Sequence, residues 1–88
     1  MIKRFIKVPE PITAVQWINN NEEEIENFVG QERVSFVPSI YNSSIDVYID
    51  DSYGKEMAEV GDYIVKYNNG DVFIWGRGAF EKYFREVE

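Results

Sequence analysis

The chain has 88 residues and a net charge of −7, with no cysteine and no histidine. Those absences exclude a disulfide framework, a zinc–thiolate site, a thiolate nucleophile and the usual near-neutral proton shuttle. No run approaches the ~20 apolar residues of a membrane span, and Met1–Val8 has a basic start but no apolar stretch of signal length.

The length predicts a single domain, 1–88. A domain this small buries only about 60% of its unfolded-chain surface, so it needs large core side chains. Six Phe, six Tyr and two Trp supply them, each able to remove roughly 150–250 Å² from water when buried.

Charge is unevenly spread. Residues 1–7 carry Lys3, Arg4 and Lys7, whereas residues 8–76 hold thirteen acids against three bases, a net −10. Phosphate backbone is repelled by such a chain, so direct nucleic-acid binding is not expected. A partner protein with a basic surface is favoured.

In chain order, Pro9 and Pro11 mark an irregular or edge entry. A first strand follows over 13–18, with Thr13, Val15 and Trp17 on one face and Ala14, Gln16 and Ile18 on the other. Asn19-Asn20-Asn21 stops it. Asn21 is the expected N-cap of a helix over 22–29, with Glu24 as its capping-box partner. Glu22, Glu23 and Glu24 suit the positive end of the helix dipole. Ile25, Phe28 and Val29 give one buried stripe, and Gly30 the stop.

A strand over 34–37 ends at Pro38. The next, over 45–50, alternates: Ile45, Val47 and Ile49 inward, Asp46, Tyr48 and Asp50 outward. Asp51-Ser52-Tyr53-Gly54 reads as a turn, with 55–58 returning antiparallel. Val60-Gly61-Asp62 turns into a strand over 63–67. Asn69-Gly70 is a hairpin signal, because both residues tolerate positive φ. Residues 72–75 are apolar on both faces, which predicts a central strand. Gly76-Arg77-Gly78 exits that strand into a short terminal helix carrying Ala79, Phe80, Tyr83 and Phe84. Tyr63, Val65, Phe73 and Trp75 are expected in the core. The expected fold is α+β: a bent antiparallel sheet or small barrel-like roll of five to six strands, with one helix after strand 1 and a short C-terminal helix.

Three stretches together, Pro11 to Trp17 (PITAVQW), Val60 to Lys66 (VGDYIVK) and Asn69 to Phe84 (NGDVFIWGRGAFEKYF), resemble a family of small phage and prophage proteins. Its members read as a basic N-terminus, a V-x-A-x-Q-W strand, a short acidic helix, a G-D-[YW]-[IV]-[IV] strand, a Gly hairpin and a closing F-x-x-x-[YF] segment. Members often carry a Tyr-Pro-Cys-like stretch after the hairpin, where this chain has Phe73-Ile74-Trp75-Gly76. The resemblance implies a phage gene product acting in the cytoplasm of an infected bacterium. It transfers no catalytic residue.

The residues themselves present neither a Gly-x-Ser-x-Gly elbow nor a phosphate-cradling Gly-rich loop. The carboxylates of Asp46 and Asp50 fall on an outward strand face, where they stay solvated and unsuited to acid–base work. Asp50-Asp51 lacks the spaced ligands of a calcium loop. No enzyme activity and no cofactor or metal are therefore expected. The expected role is a binding protein that antagonises a host defence protein through an acidic surface mimicking nucleic acid. Its contacts would be Glu22, Glu23, Glu24, Asp46, Tyr48, Asp50 and Asp51, Tyr adding contact area at low entropy cost. The alternatives are a sponge for a nucleotide defence signal, with Trp17, Tyr63 and Trp75 for stacking, or a virion assembly accessory. A homodimer is compatible with each.

Overall fold

A computed structural model describes residues 2–5, 10–51 and 54–87 of the chain, residue 51 by its backbone alone. The elements run β1 (Thr13–Gln16), α1 (Glu22–Val29), a 3-10 turn (Gln31–Arg33), β2 (Val34–Pro38), β3 (Ile45–Asp51), β4 (Gly54–Ala58), β5 (Tyr63–Lys66), β6 (Val72–Trp75) and α2 (Arg77–Tyr83). The fold is α+β, with one helix early and a short one late. The strands form two three-stranded antiparallel sheets, ordered β1-β5-β6 and β2-β3-β4, and neither closes into a barrel. The second sheet is a consecutive meander lying in the chain between β1 and its partner β5.

Strand alternation fixes which faces meet. In the first sheet Val15 opposes Ile64, and Ile64 opposes Ile74. In the second, Phe36 opposes Val47, and Val47 opposes Ala58. These inward residues join Trp17, Ile49, Val72 and the α1 residues Ile25 and Val29 in one apolar cluster. Trp17 is fully buried. Its ring lies 5.5 Å from that of Phe36, and its Nε1–H donates to the Ile45 carbonyl at 2.8 Å. At the far edge the N–H of Ile74 in β6 donates to the Glu56 carboxylate in β4 at 3.3 Å, tying one sheet to the other.

Several expectations are corrected. The single bent sheet is two sheets, because the meander β2-β3-β4 pairs only within itself. β6 is an edge strand and β5 the central one. β6 is apolar on both sides because one side faces the core and on the other Trp75 packs against Tyr83 and Phe84 at the end of α2, and Phe73 against Tyr67. Tyr63, Val65, Phe73 and Trp75 accordingly lie on the face of the first sheet turned away from the main core. There they form a second apolar layer: Tyr63 stacks on Phe80 with centroids 3.9 Å apart, and Trp75 meets Phe84 edge-on at 4.9 Å. Val65 alone of the four is fully buried.

α1 spans the expected residues, but its start is built differently. Asn21 precedes it with no side-chain cap bond. Its Oδ1 instead accepts the Ile18 N–H at 2.9 Å, and its Nδ2 donates to the Gln16 carbonyl at 2.9 Å and to Glu24 at 2.7 Å. The side chain secures the bend out of β1 rather than the helix amides. In the β5–β6 hairpin only Gly70 takes a positive φ, 92°. The Gly70 N–H donates to the Tyr67 carbonyl at 2.9 Å, and the Tyr67 N–H to the Asp71 carbonyl at 2.9 Å. This is a three-residue loop ending in a glycine bulge, not the two-residue turn that Asn-Gly suggests. Of the expected 51–54 turn, Ser52 and Tyr53 lie outside the described residues.

Candidate binding surface

The meander sheet has one face in the core and one directed away from it. On that outer face β3 places Asp46, Tyr48 and Asp50, as its alternation requires. Their cross-strand neighbours are Val37 opposite Asp46, Ser35 and Met57 opposite Tyr48, and Lys55 opposite Asp50. Val37 and Met57 are 43% and 41% exposed, so with half-buried Tyr48 they give the face an apolar centre. Polar and charged groups surround it. Arg33 donates through Nε to the Asp50 carbonyl at 3.0 Å, bringing a second cation beside Asp50 in addition to Lys55. Aromatic residues and methionine are among the types enriched at protein contacts.

The helix acids stand elsewhere. Ile25 and Val29 pack with Val47 and Ile49, so α1 lies on the inner side of the sheet whose outer side bears Asp46, Tyr48 and Asp50. Glu23 and Glu24 are exposed and Glu22 half-buried in its first turn. The structure therefore sets the two expected groups on opposite sides of the sheet. Asp51 ends β3, and its side chain lies outside the described residues. Val37 and Met57 were not foreseeable on the face of Asp46 and Tyr48, because their place depends on strand register; the alternation of β3 alone carries no such signal.

A groove of about 790 Å³ opens on the other side of the molecule, over the outer face of the first sheet. Ile12, Ala14, Phe80 and Phe84 provide its apolar lining, and Glu10, Glu81 and Glu86, with Arg85, its charged groups. Glu81 is held there by Arg77 at 3.5 Å and by the Tyr63 hydroxyl, which donates to it at 3.3 Å. The Tyr63 pKa is raised above its usual value, first by desolvation and then by the neighbouring Glu81 charge, with Arg77 opposing.

The aromatics expected to stack a nucleotide already have partners: Trp17 is enclosed in the core, Tyr63 lies under Phe80, and Trp75 meets Tyr83 and Phe84. Among the described residues no three His, Cys, Asp or Glu side chains are grouped to hold a metal ion, and no helix is long and apolar enough to cross a membrane. Comparison of the chain with protein-family models, with curated proteins and with solved structures finds no significant match.

Proposed function

We propose that this is a non-catalytic, phage-encoded binding protein that antagonises a host defence protein in the bacterial cytoplasm, its acidic character drawing it to a basic partner. The observation that supports binding is the outer face of β2-β3-β4, with Val37, Tyr48 and Met57 at its centre and Asp46 and Asp50 beside them. Desolvation of such a centre provides affinity, while surrounding charges set orientation and association rate. The net −7 adds long-range attraction to a basic surface. Glu22, Glu23 and Glu24 act in this reading as a second, steering element on the other side of the sheet. The phage and host setting rests on the resemblance of the Pro11–Trp17, Val60–Lys66 and Asn69–Phe84 stretches.

The test is capture from bacterial host lysate with the purified chain as bait, eluted by a salt gradient. The expected result is a nucleic-acid-binding defence protein released at moderate salt. Tyr48→Ala with Asp46→Lys should abolish its capture, and reversal of Glu22, Glu23 and Glu24 to Lys should mainly slow association. Retention by the first variant and loss by the second would move the contact to α1. Recovery of virion components alone would replace the anti-defence reading with an assembly role.

A further inference from the structure

We infer that the segment Ile2–Phe5 of one copy occupies the groove between β1 and α2 of a second copy, so that two chains exchange their N-terminal segments. This surface is separate from the meander face to which host binding is assigned.

Three observations carry it. The first is the segment itself. Ile2 is 100% exposed and Phe5 88% exposed, and Lys3 and Arg4 lie between them. Two large apolar side chains flanking two cations are displayed to solvent. A grouped exposure of this kind marks an interaction element, unlike scattered surface hydrophobics.

The second is complementarity. The groove offers Ile12, Ala14, Phe80 and Phe84 to Ile2 and Phe5, and to Lys3 and Arg4 it offers Glu10 and Glu86, with Glu81 already bonded to Arg77 and Tyr63 and Arg85 the one cation of the lining. Residues 1–7 hold three of the chain's nine basic residues and no acid, so the best electrostatic match for an acidic groove on this protein is its own N-terminal segment. β1 also lies at the edge of its sheet, so an extended segment entering there runs beside an open strand edge.

The third is reach. Glu10 and Ile12 line the groove, so the segment leaves its own chain at the rim of its own groove. In the isolated chain Ile2 and Phe5 remain exposed rather than turning back into it. From Glu10, Phe5 and Ile2 can extend about 17–26 Å at ~3.3 Å per residue. A two-fold axis that brings two groove rims together therefore lets each segment enter the opposite groove. Every contact is made twice, as in any isologous pair.

The native chain contains no cysteine, which allows a clean trap. Single variants Phe5→Cys and Ala14→Cys are purified, mixed in equal amounts and oxidised. A disulfide joining one of each, seen as a covalent heterodimer of two 10.3 kDa chains, is the expected result. Either variant oxidised alone should give at least tenfold less dimer. Absence of the heterodimer in the mixture overturns the proposal. So does rapid ring closure within a chain carrying both substitutions at high dilution, which would place the segment in its own groove. Sedimentation of the unmodified chain should show a dimer that Lys3→Glu with Arg4→Glu weakens at least tenfold. An unchanged dimer would move the interface elsewhere. None of these readouts involves a host protein, so failure here leaves the binding reading intact, and failure of host capture leaves this one intact.

Discussion

Trp17 and Asn19 show how much of this fold depends on single side chains. Trp17 donates to the Ile45 carbonyl, and Asn19 accepts the Ile45 N–H through Oδ1 at 2.9 Å. Both polar groups of one β3 residue are thus satisfied by the chain leaving β1. Asn19 takes a φ of 72° to do so, a conformation asparagine tolerates better than most residues. Trp17→Phe keeps an aromatic ring but strands the Ile45 carbonyl. The expected loss is about 1–3 kcal/mol in urea unfolding, large against the narrow margin of so small a domain. A change below about 0.5 kcal/mol would mean that water reaches the carbonyl and the bond does not matter.

Tyr63 carries the pH response. Its raised pKa means that the neutral phenol is preferred in the folded chain. The unfolded tyrosine ionises first as pH climbs past about 10. The contribution is therefore complete below that value and disappears as pH rises through the folded-state pKa. Between pH 9 and 11 the melting temperature of the native chain is expected to fall more steeply than that of Tyr63→Phe. Parallel slopes would show that Glu81 and burial do not hold the proton.

Among the elements, two glycines separate steric need from mere small size. A Cβ at Gly70 would meet nothing within 4 Å, yet its φ is 92°. Gly76, ahead of α2, also has open space around it, with φ −62°. Gly70→Ala should cost about 1 kcal/mol through backbone strain alone, and Gly76→Ala no more than about 0.5 kcal/mol. Equal costs in thermal unfolding would remove φ as the cause.

These elements also show what could be read before the fold was known. The stripe Ile25-Phe28-Val29 and Gly30 bound α1 correctly because helix period and stop are local properties. The inward and outward sets of β3 were legible for the same reason. The role of Asn21 was not: a cap and a strand-securing bond both call for asparagine, and only the path of the preceding chain decides between them. The doubly apolar β6 misled because a strand packed on its outer side by aromatics resembles one flanked by strands. The separation of Glu22–Glu24 from Asp46 and Asp50 was beyond reach, since it follows from which side of the meander α1 docks on.

On the scale of the molecule, charge opposes compactness. Sixteen acids against nine bases repel one another across a small surface, and the exposed Arg77–Glu81 pair offsets little of it. Salt shortens the Debye length from about 30 Å at 0.01 M to about 8 Å at 0.15 M. Stability should therefore rise over that range. The measurement is best made on Lys3→Glu with Arg4→Glu, where chain exchange does not contribute. A fall would show that attractive pairs outweigh the general repulsion.

The nesting of the meander between β1 and β5 has a consequence in time. β1 residues pair with positions about fifty places later, Thr13 with Lys66 and Gln16 with Tyr63. During synthesis at roughly 5–20 residues per second, β1 waits some seconds for its partner while α1 and the meander emerge in order. Trp17 spends that interval without the Asp62 carbonyl that later receives its N–H. The meander can assemble first from neighbouring strands, and arrival of β5 then closes the first sheet over it. Among the described strands, chain order makes β1 the earliest made and one of the last to be paired.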